Sequence, residues 1–220
     1  MNATSIILMV IYKVRQLYLA NLINNNSFTG CHQTAQLFGI NFRYTAHFRK
    51  DTIVKWTKAP QGFYKLNVDE SFKTIKAGCA GLIQDHNGHV IVAFAGPSVA
   101  NNAIMTELDA LNYGVHLCLS LGIINLWIEV DAMLVIHYIF SKVNDNPKYF
   151  YTMREIKQCL STINFSITHI YREANYAAYF LANFGCNLLE FREFMGPALP
   201  TSIDGITRLD CLGLPYVRSS

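Results

Sequence analysis

Three acidic residues, Asp69, Glu107 and Asp131, carry the chemistry this sequence most plainly offers. Taken singly each is ordinary, since an Asp in a strand or a Glu on a helix is usually solvated surface. Their setting distinguishes them. Asp69 shares the polar side of an alternating segment with Lys65 and Asn67, while Tyr64, Leu66 and Val68 take the other side; period two marks a strand. Asp131 ends the apolar segment 126–131, and Glu107 stands in the first turns of a helical stretch between the two. If those strands run parallel as neighbours, both aspartates reach one sheet edge and Glu107 points down at it. Three carboxylates so crowded repel one another and raise one another's pKa values. Divalent cations relieve that crowding, and hard oxygen ligands suit Mg²⁺ or Mn²⁺, which keep waters and take substrate phosphates as further ligands. Two such ions can activate a water and stabilise the leaving oxygen of a phosphodiester.

The elements that must position these acids follow from pattern. Residues 63–71 form the first strand, and 77–84 and 89–95 flank Asp85-His86-Asn87-Gly88, whose Asn-Gly signals a hairpin turn. Gly96-Pro97 is expected to end this antiparallel meander. From 103 to 121 the period becomes helical, through Leu108, Leu111, Val115 and Leu119, and Gly122 closes it. A strand (126–131), two helices (132–141 and 149–161), a fifth strand (165–171) and a last helix (174–184) complete a β-β-β-α-β-α-α-β-α order. That order predicts an α/β fold. It would hold a mixed five-stranded sheet, a three-strand antiparallel meander plus two parallel strands, with helices on its faces.

Composition sets the outer limits. Apolar residues make up 51% of the 220 and charged residues 15%, which excludes a disordered chain. Residues 1–59 carry seven Lys/Arg against one acid, Asp51, whereas residues 60–185 carry eight basic and ten acidic residues. A basic arm beside a slightly acidic domain suits a polyanionic partner, and equally a solvated basic face. Six cysteines stand far apart without a C-x-x-C pair, which argues against zinc and a disulfide framework and for a reducing compartment. The apolar run 6–12 is too short to span a bilayer, so no membrane is expected. The segmentation reads as a basic helical appendage (1–55), a domain (56–185) and a tail (186–220).

The sequence also resembles the ribonuclease H type 1 domain family, in its plant retroelement-derived subgroup. The resemblance rests on five stretches in order: 54–69 with its Trp56 and Lys65-Leu66-Asn67-Val68-Asp69; 77–85; Thr106-Glu107-Leu108-Asp109-Ala110-Leu111, similar to A-E-x-x-A-L; Ile128-Glu129-Val130-Asp131; and His169-Ile170-Tyr171-Arg172-Glu173-Ala174-Asn175, similar to H-V-x-R-E-x-N. It implies a ribonuclease H-like fold and hydrolysis of the RNA strand of an RNA–DNA hybrid with two Mg²⁺. Asp69, Glu107 and Asp131 would be ligands. Separately, the cysteine usage leads us to expect an intracellular, nuclear or cytoplasmic protein, and a monomer is expected.

Two departures stand out. The family's fourth acid closes N-x-x-A-D, and here that stretch is Asn175-Tyr176-Ala177-Ala178-Tyr179, so Tyr179 occupies the ligand position. The family's D-G-S is Asp69-Glu70-Ser71, which loses a glycine. Neither Glu173, at the helix start, nor Asp109, across the helix from Glu107, replaces the missing acid convincingly. An alternative outcome is a catalytically inactive nucleic-acid-binding or interaction module. Asn67, Ser71, Arg172 and Asn175 are candidate nucleic-acid contacts, though capping the last helix explains Asn175 as well. His169, mid-strand among apolar residues, fits a structural histidine better than a catalytic one, and Trp56 fits a staple for the arm better than a base-stacking platform.

Overall fold

The computed structural model describes residues 3–20, 22, 23, 25–28, 32–40, 51–141 and 146–218, and the chain divides into two compact units, 1–49 and 50–220. The first holds helix α1 (Ala3–Leu19), a 3₁₀ turn over Asn25–Phe28 and helix α2 (His32–Leu37). Phe28, Ala35 and Ile40 are buried together with Val14, Tyr18, Ile23 and Phe38 against them, a small core of its own. Arg43, Arg49, Lys50 and Cys31 lie outside the described residues; the five remaining cysteines are free thiols.

The second unit opens with strand β1 (Thr52–Val54), paired antiparallel with the last strand, β8 (Tyr216–Arg218). Its main sheet follows the expected scheme. Strands β2 (Tyr64–Lys73), β3 (Lys76–Gln84) and β4 (Val90–Ser98) form the antiparallel meander, and β5 (Asn125–Val130) and β6 (Asn164–His169) add on in parallel beside β2. The sheet has a sixth strand, β7 (Arg192–Met195), contributed by the tail and giving the order β6-β5-β2-β3-β4-β7. Four residues long, β7 is too short to declare itself by periodicity, and it forms because β4 offers it an open edge. Strand β4 also runs through Gly96-Pro97 to Ser98 instead of stopping there. Because β7 pairs only with Val92–Ala95, Pro97 lies where β4 has a ladder on one side, and there its missing N–H is tolerated.

Helix α3 (Ala103–Ser120), capped by the Asn102 side chain accepting from the Met105 N–H, packs with α4 (Met133–Phe140) and α5 (Phe150–Leu160) on one face of the sheet. Leu66 and Val68 of β2 meet Leu108 and Leu111 of α3 in that core. Gly114 permits the approach: a Cβ there would stand 2.9 Å from Leu66 Cδ1. Helices α6 (Tyr176–Gly185) and α7 (Thr201–Cys211) cover the other face through Ala177, Ala178, Leu181, Ala182 and Ile203. Here too a glycine sets the distance, since a Cβ on Gly185 would lie 2.8 Å from the Gly96 carbonyl oxygen. Each buried Leu or Ile contributes about 1.5–3 kcal/mol by leaving water, which makes this two-sided core the main support of the sheet. Among the described residues no helix is long and apolar enough to cross a membrane.

Candidate metal centre

Strand β2 extends past the end of its pairing with β5, which stops at Asn67↔Glu129. Asp69 and Asp131 therefore come out at the same end of the sheet, as the parallel arrangement predicts. Glu107, in the second turn of α3, faces them from one side. Asp69, Glu70, Glu107 and Asp131 each offer a carboxylate oxygen lying within 4.8 Å of the others'. The structure thus brings the three expected acids together and adds a fourth, Glu70, which stands where the family pattern has a glycine. The overlooked signal was alternation. Asp69 shares a face with Lys65 and Asn67, so Glu70 must share the opposite face with Leu66 and Val68, over which α3 runs.

The oxygens are poorly satisfied as they stand. Asp69 Oδ1 and both Glu107 carboxylate oxygens are buried and meet no hydrogen-bond donor. A buried polar atom without a partner costs about 1–3 kcal/mol, more if charged, so this set demands protons or a cation. Burial, then the Asp131 and Glu70 charges, raise the Asp69 pKa well above the usual carboxylate range. Burial, then Asp69, Glu70 and Asp131, do the same for Glu107. Glu70 is raised by burial and Asp131, with Arg172 pulling the other way. A compact group of carboxylate oxygens, three of them buried without a donor, fits a hard divalent cation and gives nothing that favours a soft one.

One cation of the chain sits at the rim. Arg172 Nε donates to Asp131 Oδ2 at 2.9 Å and its Nη2 lies 3.5 Å from Glu70 Oε1. The guanidinium carbon is 5.6 Å from the centre of the Tyr179 ring. Tyr179 is therefore beside the cluster through Arg172 and contributes no carboxylate to it.

A buried polar network underpins Asp69. The Trp56 indole N–H donates to Asn67 Oδ1 (2.9 Å), and Asn67 Nδ2 donates to Glu129 Oε2 and to Asn175 Oδ1, each at 3.0 Å. Asn175 Nδ2 in turn donates to the Val68 carbonyl (2.7 Å) and to Asp69 Oδ2 (3.3 Å). Lys65, fully buried, bonds Glu129 at 2.8 Å with its ammonium 4.6 and 4.1 Å from the Trp56 and Trp127 ring centres. Burial lowers the Lys65 pKa and the Glu129 charge opposes that drop.

This placement corrects part of the expected contact set. Asn67 and Asn175, each 2% exposed, are sealed inside with their amides committed, so they position Asp69 rather than meet nucleic acid. Asn175 caps no helix with its side chain. Ser71 is buried and donates to Asn183. Only Arg172, about half exposed, can reach outward. Trp56 is buried against Ile170 and Ala174 and serves the network through its indole N–H. The His169 ring packs edge-on against Tyr171. Asp109 turns away from the acids to accept from Ser98 Oγ at 2.8 Å.

A family profile described as reverse transcriptase-like matches residues 67–185, more than half of the chain and all four acids. The chain belongs to the reverse transcriptase-like family. An Arabidopsis thaliana protein named as a ribonuclease H protein is 25% identical over 169 residues, 75% of this chain; the chain spans 27% of that relative. Among solved structures, the ribonuclease H1 of Halobacterium salinarum NRC-1 superposes with a TM-score of 0.52 at 20% identity, covering 56% of this chain and 96% of that one. The N-terminal ribonuclease H domain of a Mycobacterium tuberculosis protein gives 0.53 at 17% identity, covering 57% and 94%. LC11-RNase H1, solved in complex with an RNA/DNA hybrid, gives 0.52 at 18% identity, covering 56% and 96%. This reverse transcriptase-like domain therefore has the ribonuclease H-like fold the sequence led us to expect.

Proposed function

We propose that this protein binds nucleic acid and hydrolyses the RNA strand of RNA–DNA hybrids in a divalent-metal-dependent reaction at the Asp69–Glu107–Asp131 cluster. The observation that carries the reading is the set of buried carboxylate oxygens, Asp69 Oδ1 and both of Glu107, that lack any donor in a cluster within 4.8 Å. Asp69, Glu107 and Asp131 would hold Mg²⁺, two ions as the resemblance implies, with Mn²⁺ as a substitute. When bound, such ions lower the pKa of a water and stabilise charge at the leaving oxygen. The chain's own residues have separable tasks. Asn175 holds Asp69 Oδ2 in place, and the Trp56–Asn67–Glu129 network fixes Asn175. Arg172 retains N–H donors beyond those given to Asp131 and Glu70, and these can take a phosphate oxygen of the backbone. The five free thiols support a reducing nuclear or cytoplasmic setting, and we propose a monomer.

Tyr179 favours a second reading, a module that binds nucleic acid without cutting it. A labelled RNA–DNA hybrid separates the two. Cleavage in Mg²⁺ or Mn²⁺, abolished by Asp69→Asn, supports the hydrolase; retardation of the hybrid on a gel with no cleavage in either metal supports the binding module.

A further inference from the structure

We propose that Glu70 is a metal ligand of this site, supplying the carboxylate that position 179 does not. The inference rests on the reading of the acidic cluster as a metal centre and adds a residue to it. Glu70 belongs to the group by distance, with a carboxylate oxygen within 4.8 Å of one from each of Asp69, Glu107 and Asp131. It belongs by direction as well. Strand alternation sends it to the face that α3 covers, so Glu70 and Glu107 approach each other while Asp69 enters from the opposite side of β2. The two adjacent residues of one strand thereby flank the same point.

Glu107 is the independent observation that a ligand belongs there. It is 1% exposed, and neither of its oxygens has a donor, though Glu70, Asp69 and Asp131 surround it. Placing a further acid against an unsatisfied buried carboxylate worsens the repulsion unless a proton or a cation stands between them, and a divalent cation alone serves all four acids at once. Arg172 does not do this, because its contacts are to Asp131 and Glu70 at the rim and it reaches neither oxygen of Glu107. The Arg172 contact engages a single oxygen of Glu70, Oε1, at 3.5 Å. Glu70 is also accessible enough to exchange, its side chain being 14% exposed.

The test titrates Mn²⁺ into the full-length protein by calorimetry, with wild type, Glu70→Gln and Asp69→Asn, and records the melting temperature of each with and without metal. Gln keeps the shape of Glu70 and can still accept from Arg172. Glu70→Gln is expected to weaken Mn²⁺ binding by about a hundredfold or more, beyond the roughly 10–100-fold cost of removing a mere outer partner of a ligand. It is also expected to raise the melting temperature of the metal-free protein, because one repelling charge leaves the cluster, and to shrink the increment that metal adds. A rim acid that only paired with Arg172 would give the reverse in the metal-free protein, a lower melting temperature, and unchanged Mn²⁺ affinity; that pair of results overturns the assignment. Should Glu70→Gln not fold, Glu70→Asp, which shortens the reach and keeps the charge, must weaken Mn²⁺ binding, and affinity equal to wild type refutes the proposal. Failure of the underlying metal reading looks different: wild type then binds no Mn²⁺, or Asp69→Asn binds it as wild type does.

Discussion

Removing one charge from the Lys65–Glu129 pair tests the physical account of this site more sharply than removing any of its acids. Lys65 is fully buried, its ammonium enclosed by two indole rings and bonded to Glu129 at 2.8 Å. At an effective dielectric of about 20, two unit charges at that distance attract by roughly 6 kcal/mol. In Glu129→Gln the amide oxygen recovers part of this, so the expected loss is about 3–5 kcal/mol, the usual cost of stranding one partner of a buried pair. Against a total stability of roughly 5–15 kcal/mol that is a large fraction. The pH dependence identifies the cause. Burial already holds the Lys65 pKa below its usual value against the pull of Glu129, and without Glu129 it must fall further. A lysine with a lowered folded-state pKa binds fewer protons folded than unfolded, so stability rises with pH between that pKa and the unfolded value near 10.5. Urea denaturation followed by circular dichroism should therefore show the deficit of Glu129→Gln narrowing as pH rises from 7 to about 9.5. Lys65→Met combined with Glu129→Gln should recover most of the loss, because neither charge of the pair remains buried. A Glu129→Gln cost below about 1 kcal/mol, or a deficit that does not narrow with pH, would refute the reasoning.

Three further outcomes follow from the same geometry. Arg172→Ala removes a competing cation from the rim, so Mn²⁺ affinity by calorimetry should rise by up to about fivefold, the worth of a half-exposed ion pair. The same variant should retard the hybrid less on a gel. Asn175→Leu takes an acceptor from Asn67 Nδ2, which keeps Glu129, and a donor from the Val68 carbonyl and from Asp69, costing about 2–4 kcal/mol in urea denaturation; if the hydrolase reading holds, kcat should fall with KM little changed. Burial raises the Asp210 pKa to about 6, against the Tyr216 hydrogen bond and the Lys65 charge. An acid with a raised folded-state pKa lends stability at low pH that is lost between about 4 and 6, so Asp210→Asn should flatten that slope and gain at most about 3 kcal/mol at pH 7.

The parts of the fold that were legible in the sequence are those written in local period. Alternation along residues 63–71, the Asn87-Gly88 turn and the helical spacing of Leu108, Leu111 and Val115 are set by near neighbours in the chain, and all three appear as expected. What was not legible depends on partners distant in the chain. Strands β7 and β8 are four and three residues long and exist because β4 and β1 present open edges to them. Lys65 sits in alternating register like a solvent-facing residue, and nothing local reveals that Trp56 and Trp127 close over it. Asn67 and Asn175, adjacent to functional motifs, look like contact residues until the helix carrying one is seen resting on the strand carrying the other. The acids themselves were found because paired strand ends and a helix start are predictable from element order. Glu70 is legible only from the face it occupies, opposite Lys65 and Asn67 on the strand and beneath the helix that carries Glu107.

The two departures from the family pattern, at positions 70 and 179, belong to one corner of the molecule and bear on each other through Arg172. That guanidinium bonds Asp131 and Glu70 while lying 5.6 Å from the Tyr179 ring. A carboxylate at 179 would compete for Arg172; a neutral ring leaves the arginine to the other two and offers a π face to its cation. With Glu70 counted, the cluster holds four carboxylates, the number the resemblance calls for, drawn from different positions. Tyr179→Asp alone then adds a fifth acid beside an already repelling group, so it should lower the melting temperature of the metal-free protein instead of repairing the site. Tyr179→Asp combined with Glu70→Gly returns the count to four, and its metal-free melting temperature should lie above that of Tyr179→Asp alone despite the strand-weakening glycine. If the single variant is as stable as wild type without metal and binds Mn²⁺ more tightly than it, position 179 is simply a vacancy and the compensation argument is wrong.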